Sequence, residues 1–207
     1  LMDLHAWQDG QMAGLAGGRL RFSGRNAPVN WSEYYEITFF DFPLRFVAGR
    51  TTGYVLTRGQ PAVIELNATC DAPFCHRAFH VNESLPIMSR ESAVMFGDDV
   101  VYASRQGLIR LQPSGQWTNI SAPWFDRRAW EPLYPTTIKA ARWGSMYVMV
   151  TAKGSFMLDV SAEATRGLMP IDLDAKAMTQ GDDGFFYFAT DAGVCQWDAG
   201  DDFMDWS

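Results

Sequence analysis

The chain alternates short apolar runs with turn signals built on glycine, acidic and hydroxyl residues. The clearest example spans residues 89–111, where apolar runs at 94–96 and 100–102 flank a Gly-Asp-Asp turn and a third run follows Gly107. This arrangement predicts strand-turn-strand-turn-strand structure. We expect Ser104 and Gly107 to bound a three-residue hairpin loop, with the glycine in the left-handed region and the serine hydroxyl bonded to the turn backbone.

The same unit recurs along the chain. Five apolar strands each end in a hydroxyl residue, at Ser23, Thr57, Ser104, Thr151 and Thr190. In the last three copies a glycine stands three positions later, namely Gly107, Gly154 and Gly193. The hydroxyl residues lie 34 to 47 residues apart. A repeat of about 40 to 47 residues built from strands is typical of β-propeller blades, which hold about four strands each.

The composition of the repeated strands agrees with blades. The runs at 146–150 and 185–189 are apolar at nearly every position and do not alternate. A strand covered on both faces by neighbouring sheets has this pattern, whereas a sandwich that faces water alternates. We therefore predict an all-β fold, a β-propeller of about four to six blades formed by residues 1–207 as a single domain. Because the sequence opens on Leu1 and stops at Ser207 within an apparent element, we expect truncation at one or both ends, which would make the chain a fragment of a larger propeller protein.

Two segments depart from the strand pattern. Residues 125–130 lie between Pro123 and Pro132, and we expect one or two turns of helix there. Residues 67–85 are the longest stretch with no strand pattern, and we predict an irregular insertion there.

Composition excludes several classes of protein. The apolar fraction of 47% excludes intrinsic disorder, and the net charge of −7 disfavours a general nucleic-acid binder, which needs a basic face. No apolar run approaches the roughly 18 residues that span a bilayer. Four asparagines begin Asn-x-Ser/Thr triplets, which we interpret as turn residues rather than glycosylation sites. These are Asn30, Asn67, Asn82 and Asn119.

One cluster has the residue types of a metal site: Cys70, Cys75, His76 and His80. Structural zinc usually requires a tighter cysteine pair and a second pair of ligands, so we treat these four as weak candidates and predict no metal and no other cofactor. A Cys70–Cys75 disulfide is an alternative for an extracellular particle. The odd cysteine count fits no disulfide framework, and we expect Cys195 to be a small core residue.

Catalytic motifs are missing from the sequence. It has no Gly-x-Ser-x-Gly elbow and no phosphate loop that ends in Lys-Ser/Thr. Carboxylate pairs such as Glu83 with Glu91, or Asp182 with Asp183, have no spacing diagnostic of a glycosidase. We expect Trp124 and Trp130 to pack under their own loop rather than stack on sugars. We therefore predict that the protein is not an enzyme.

The chain resembles the β-propeller virion proteins of tailed phages and prophages, typified by the nozzle (tail tubular) proteins of short-tailed phages. The segment 102–108, Tyr-Ala-Ser-Arg-Gln-Gly-Leu, is the best single match. The loop from Cys70 to His80 departs from the family, in which this link is shorter. The other matching segments are 22–31, 54–57, 89–94, 125–138 and 193–198.

The resemblance implies a non-catalytic structural protein of the phage tail, made in the bacterial cytoplasm. Copies would form a ring around the DNA exit channel and contact tail adaptor, fibre or spike proteins, with no membrane anchor. DNA would pass without specific binding, and an acidic lumen would suit this because like charges repel.

Two other functions remain open at this point. A carbohydrate-binding or glycan-degrading propeller at the tail tip would serve receptor binding. A WD40-like adaptor is disfavoured, because the Gly-His and Trp-Asp spacing of those blades is missing.

Overall fold

The computed structural model describes residues 2–6, 10–32, 34–65, 76–161 and 167–197. Within these ranges, nineteen strands form five antiparallel sheets that follow one another along the chain. The first sheet contains β1 (Met2–Ala6), β2 (Met12–Ala16), β3 (Arg19–Phe22) and β4 (Glu36–Thr38). The second contains β5 (Pro43–Ala48), β6 (Thr52–Thr57), β7 (Ala62–Glu65) and β8 (Arg77–His80). The third contains β9 (Val94–Phe96), β10 (Asp99–Ser104), β11 (Gly107–Leu111) and β12 (Trp117–Asn119). The fourth contains β13 (Lys139–Trp143), β14 (Met146–Thr151), β15 (Gly154–Asp159) and β16 (Leu168–Ile171), and the fifth contains β17 (Ala177–Gln180), β18 (Phe186–Thr190) and β19 (Gly193–Gln196).

Each sheet is a meander in which every strand pairs with the next one along the chain. The first strands of consecutive sheets contact one another, in the series β1, β5, β9, β13 and β17. The sheets therefore radiate from a common axis lined by these inner strands. This is a β-propeller, and its five sheets fall within the predicted four to six blades.

Four apolar cores hold consecutive sheets together. Phe22 and Phe46 pack between the first and second sheets, and Tyr54 and Tyr102 between the second and third. Further cores join the third sheet to the fourth and the fourth to the fifth. Full burial of one large apolar side chain contributes about 1.5–3 kcal/mol, so these cores are the main source of stability.

The second strand of each middle sheet is covered on both faces. In β10, Val101 packs against the fourth sheet while its neighbour Tyr102 packs against the second. The tyrosine hydroxyls in these strands also reach adjacent elements. Tyr102 donates to Leu85 O at 3.0 Å and Tyr147 donates to Ser92 O at 2.8 Å. Burial raises the pKa of both groups, so they remain neutral donors.

A buried carboxylate joins the first three sheets near the axis. The Asp3 side chain in β1 is 4% exposed and ion-pairs with Arg45 of β5. Its oxygens also accept from Arg90 Nη2 at 3.2 and 3.3 Å, and Oδ2 accepts from Phe46 N at 3.1 Å. Arg90 lies in the 3-10 helix Arg90–Ser92 that leads into the third sheet. Asp3 adopts a φ of 51°, a conformation that aspartate and asparagine tolerate better than most residues.

The structure corrects the interpretation of residues 67–85. Residues 77–80 form β8, which pairs with β7 from Ala62↔His80 to Glu65↔Arg77, and Val81 and Leu85 are buried beside it. The strand was missed because four residues are too few to display an alternating pattern. Residues 66–75 lie outside the described ranges.

Cys195 is exposed, contrary to its expected place in the core. It lies in β19, the last described strand of the fifth sheet, and no further described strand pairs with β19. An apolar run in an edge strand has the same sequence pattern as one in the core, because the sequence does not show which other strands cover the run.

The helical prediction at 125–130 is confirmed by α1 (Arg127–Trp130), whose first turn is capped by Asp126 accepting from Ala129 N at 2.8 Å. Two 3-10 turns follow, Glu131–Leu133 and Pro135–Thr137. Among the described residues, no helix has the length and hydrophobicity that a membrane crossing requires.

Replacing Asp3 by asparagine tests the buried carboxylate. We expect Asp3→Asn to lower the free energy of unfolding by about 2 kcal/mol, because two guanidinium groups lose their shared charged acceptor while the backbone conformation stays accessible. Urea denaturation measures the change. Glu131→Gln, which breaks the exposed pair with Arg127, is the control and should cost less than about 0.5 kcal/mol. Equal losses in the two variants would contradict the role given to Asp3.

Candidate functional site

The repeated threonines fold the turns of their sheets. Thr57 Oγ1 donates to Gln60 O at 2.8 Å and accepts from Gly59 N at 3.1 Å. Thr151 repeats this geometry with Gly154 O at 2.9 Å and Lys153 N at 3.0 Å, and Thr190 repeats it with Gly193 O and Ala192 N. Each hydroxyl thus satisfies two backbone groups that the tight turn leaves unpaired.

The turn at Ser104 is built differently from the prediction. The Ser104 hydroxyl is buried and has no hydrogen-bond partner among the described residues. Asn119 Nδ2 instead donates to Gln106 O at 2.6 Å, and Ser121 Oγ accepts from Leu108 N at 2.9 Å. Asn119 and Ser121 belong to one of the Asn-x-Ser/Thr triplets. The prediction that these triplets lie in turns therefore describes this turn better than the prediction made for the Ser104 hydroxyl.

The loop after Ser104 contains two residues rather than the predicted three, because Ser104 pairs directly with Gly107. Gly107 has a φ of +136°, and Gly154 and Gly193 share this region with φ values of +149° and +133°. A Cβ at Gly107 would lie 2.5 Å from Ser121 Oγ. Glycine is therefore required at this position both by its conformation and by close approach.

Ser23 belongs to a different strand from the other markers. It follows β3, the third strand of its sheet, whereas the other four hydroxyl residues end second strands. Its hydroxyl accepts from Met12 N at 2.8 Å and donates to Gly24 O at 3.1 Å. The shorter spacing between Ser23 and Thr57 follows from this difference.

The weak metal candidates are not brought together where the structure describes them. Cys70 and Cys75 lie outside the described residues. His76 contacts the Phe22 ring at 4.7 Å and Gln11 Oε1 at 3.1 Å, whereas His80 lies against Phe39 and Phe40. Four residues of extended chain span about 13 Å, so one zinc ion cannot bind both imidazoles. The described residues contain no group of three or more potential metal ligands.

The acidic turn of the fifth sheet serves local structure. Asp183 accepts from Tyr187 Oη at 2.6 Å and from Phe185 N at 3.0 Å. These hydrogen bonds, that from Tyr187 above all, lower the pKa of Asp183. A general acid of the glycosidase kind needs a raised pKa instead, so this carboxylate is unsuited to that role.

Trp124 and Trp130 both pack against the apolar core between the third and fourth sheets. Trp130 is fully buried between the third and fourth sheets, and its indole Nε1 donates to Ser104 O at 2.9 Å. Trp124 is half-buried against the same core. Trp130 therefore has no face available for stacking on a sugar.

The inner strands of all five sheets surround an axial cavity of about 350 Å³. Apolar side chains form much of its wall, including Val47, Val94 and Met178. Its polar groups come from His5, Arg45, Arg142, Thr179 and Gln180. None of the described residues that line it is acidic.

The charged residues of the axial cavity already have partners. Arg45 shares the Asp3 carboxylate with Arg90, so one negative charge faces two positive ones. Arg142 donates from Nε to Gly144 O at 2.6 Å and lies 5.6 Å from the centroid of the Phe96 ring, and Gly144 and Phe96 both line a separate cleft between the third and fourth sheets. Burial, together with the nearby Arg45, lowers the pKa of His5, and its Nε2 donates to Phe46 O at 3.1 Å. His5 is therefore neutral.

Among the described residues, the first and fifth sheets each bury one face, and no sheet packs on the other. The first free face carries Met2 and Leu4, which are 51% and 49% exposed, and β3 and β4 add Arg19, Arg21 and Glu36 at its outer part. The last free face carries Tyr187, Ala189 and Val194, which line a groove of about 220 Å³. Val194 is 77% exposed. No buried apolar cluster of the described residues joins these two faces.

Comparisons with known proteins define the fold and no more. The sequence matches no family model and no curated protein. Among solved structures, the chain is similar to BamB from Moraxella catarrhalis with a TM-score of 0.56 and 12% identity, over 90% of this chain and 54% of that one. AztD from Citrobacter koseri gives a TM-score of 0.56 at 10% identity over 94% and 61% of the two chains. Hsv2 from Kluyveromyces marxianus gives 0.56 at 11% identity over 95% and 60%.

These neighbours confirm the β-propeller fold. The present chain spans 54 to 61% of their length, and identities of 10 to 12% carry no information about activity or partners. None of the three is named as a phage protein. The phage resemblance is thus neither supported nor contradicted by these neighbours.

Sequence reasoning missed both the axial cavity and the free faces. Arg45 and Arg142 stand 97 positions apart in unrelated local sequence, and the inner strands alone bring them together. The signal that could have found them is their common position on the first strand of a sheet. That signal requires the strand count of every blade, which the missed strand β8 obscured.

A matched pair of variants tests the roles of the turn hydroxyls. We expect Thr57→Val to lower the free energy of unfolding by about 1–2 kcal/mol, because the isosteric change leaves Gly59 N–H and Gln60 O without their hydroxyl partner. Ser104→Ala should change it by less than about 0.5 kcal/mol or raise it, since the removed hydroxyl has no partner among the described residues. Urea unfolding of both variants decides the matter, and a larger loss for Ser104→Ala would show the assignment to be wrong.

Proposed function

We propose that this chain is a structural protein of a tailed-phage virion, a propeller whose copies assemble in a ring around the DNA exit channel of the tail. The observation that carries the proposal is the pair of free faces. Each interior interface of the propeller buries an apolar face, yet the first and last sheets present comparable surfaces to solvent. Apolar surface left open in this way favours assembly.

We infer that the first free face of a second copy covers the last free face. The two surfaces differ, so a contact between them is head-to-tail, and such contacts generate rings when the rotation closes. Their charges are also complementary. The first free face holds two arginines and one glutamate, whereas the Asp183 carboxylate lies beside the last free face and accepts from its Tyr187 Oη at 2.6 Å.

The side chains that recur in the sequence are consistent with a building block. Three recurring hydroxyls form hydrogen bonds with the backbone of their own turns, namely those of Thr57, Thr151 and Thr190. The indole N–H of Trp130 donates to Ser104 O. These groups hold the scaffold in shape, which is the property that a tail ring demands of its subunits.

A charge introduced on the last free face should prevent assembly. We expect Val194→Asp to shift the purified chain from oligomer to monomer in sedimentation velocity, because a carboxylate in the apolar contact would be desolvated without a partner. Val29→Asp is the matched control, since Val29 is 90% exposed outside both free faces. Oligomers that survive Val194→Asp, or that are lost equally in Val29→Asp, would contradict the head-to-tail contact.

The virion assignment has a separate test. Tailed particles are purified from the bacterial host whose genome encodes the chain, and their proteins are quantified by mass spectrometry against the major capsid protein. We expect peptides of the chain at a small, fixed number of copies per particle. Particles that lack these peptides would overturn the assignment.

A further inference from the structure

We propose that the cleft between the third and fourth sheets is a binding site for a phosphate group. This cleft has a volume of about 230 Å³, and no described residue that lines it is acidic. Its lining includes two arginines, two serines and two apolar side chains, namely Arg110, Arg142, Ser145, Ser161, Phe96 and Val160. The site goes beyond the structural function proposed above and does not depend on it.

The Arg142 guanidinium is held at the wall of this cleft. Its Nε donates to Gly144 O at 2.6 Å, and its Cζ lies 5.6 Å from the centroid of the Phe96 ring. Gly144 and Phe96 both line the cleft, so these two contacts keep the charged end of the side chain there. Among the described residues, Nη1 and Nη2 of Arg142 have no hydrogen-bond or ion-pair partner. Their N–H groups are therefore available to an anion.

Arg110 reaches the same cleft from β11. Its Nη1 donates to the carbonyl oxygen of Val160, a buried residue of the cleft wall, at 3.2 Å. The Asp99 carboxylate accepts from Nε and from Nη2 of Arg110, both at 2.6 Å, and this fixes the guanidinium. An anion in the cleft meets two arginines that are already held in place, so binding costs little side-chain entropy.

Two carboxylates lie beside the cleft without lining it. Asp99 pairs with Arg110, and Asp159 Oδ1 accepts from Ser161 N at 2.9 Å and from Ser161 Oγ at 2.7 Å. Both carboxylates are thus engaged by partners of their own, whereas Arg142 has no carboxylate partner among the described residues. The positive charge that attracts an anion is therefore that of Arg142.

The donors of the cleft suit a phosphate better than a carboxylate. A phosphate monoester presents three acceptor oxygens and a charge of about −1.5 to −2 at pH 7, whereas a carboxylate presents two oxygens and a single charge. Three donor groups border the cleft, namely the guanidinium groups of Arg110 and Arg142 and the hydroxyl of the exposed Ser145. The cleft is smaller than the roughly 300–1,000 Å³ of most small-molecule pockets, so it fits a phosphate group rather than a large ligand.

Isothermal titration calorimetry of the full chain with inorganic phosphate tests the proposal, with succinate as a second arm. We expect phosphate to bind at one site per chain, to bind more weakly as NaCl is added, and to bind more tightly than succinate. No heat of binding with phosphate, or equal affinity for succinate, would overturn the proposal.

A pair of arginine variants tests the role of Arg142. Arg142→Gln should weaken phosphate binding about tenfold or more, because the anion loses a charged hydrogen-bonding partner. Arg128→Gln, on the exposed surface of α1, is the matched control and should not change the affinity. Equal affinities in these two variants would show that Arg142 does not hold the anion.

A second set of variants places the site without removing an arginine. Ser145→Asp should abolish binding by adding a carboxylate to the cleft, whereas Ser114→Asp, in an exposed turn of the third sheet, should leave binding intact. Thr179→Glu should also leave it intact, because Thr179 lines the axial cavity and not this cleft. Urea unfolding curves establish that each variant is folded. Binding that survives Ser145→Asp, or that is lost in Thr179→Glu, would contradict the assignment to the cleft.

Discussion

The structure depends on apolar burial between consecutive sheets. A strand such as β10 sends Val101 toward one neighbouring sheet and Tyr102 toward the other, so neither face of its sheet is stable in water. Hydrogen bonds within a sheet are satisfied locally and do not fix where the sheet lies. The interfaces do, and they set the radial arrangement that brings the inner strands together.

Both candidate sites follow from that arrangement. Residues of the inner strands meet at the axis, where Arg45 and Arg142 line a common cavity despite their distance in sequence. Within the part of the chain that the structure describes, the two sheets at the ends of the series each pack against one neighbouring sheet, and this leaves the free faces. The five described sheets therefore combine an axial cavity with two faces that no described sheet covers, and the proposed tail-ring function uses the second property.

The sequence predicted the architecture better than the sites. The apolar run at 146–150 correctly indicated a strand covered by neighbouring sheets, and the Thr-x-x-Gly spacing correctly marked tight turns. The same prediction for 185–189 was wrong, because this strand lies in the fifth sheet, where no described sheet covers the face of Tyr187 and Ala189. Ser104 shares that spacing, yet its turn is held by Asn119 and Ser121, because several side chains can satisfy the same backbone groups. Cys195 and β8 were misjudged for a related reason, since burial and strand pairing are set by residues far along the chain.

Hydrogen–deuterium exchange of the purified chain, read by mass spectrometry at concentrations where it is monomeric, tests the central claim most directly. Sheets held by their interfaces should show the slowest amide exchange in β6, β10 and β14, which have neighbours on both sides, and faster exchange in β2 and β18 of the end sheets. Equal protection in the second strands of all five sheets would contradict the account, because it would mean that the two end faces are covered as well.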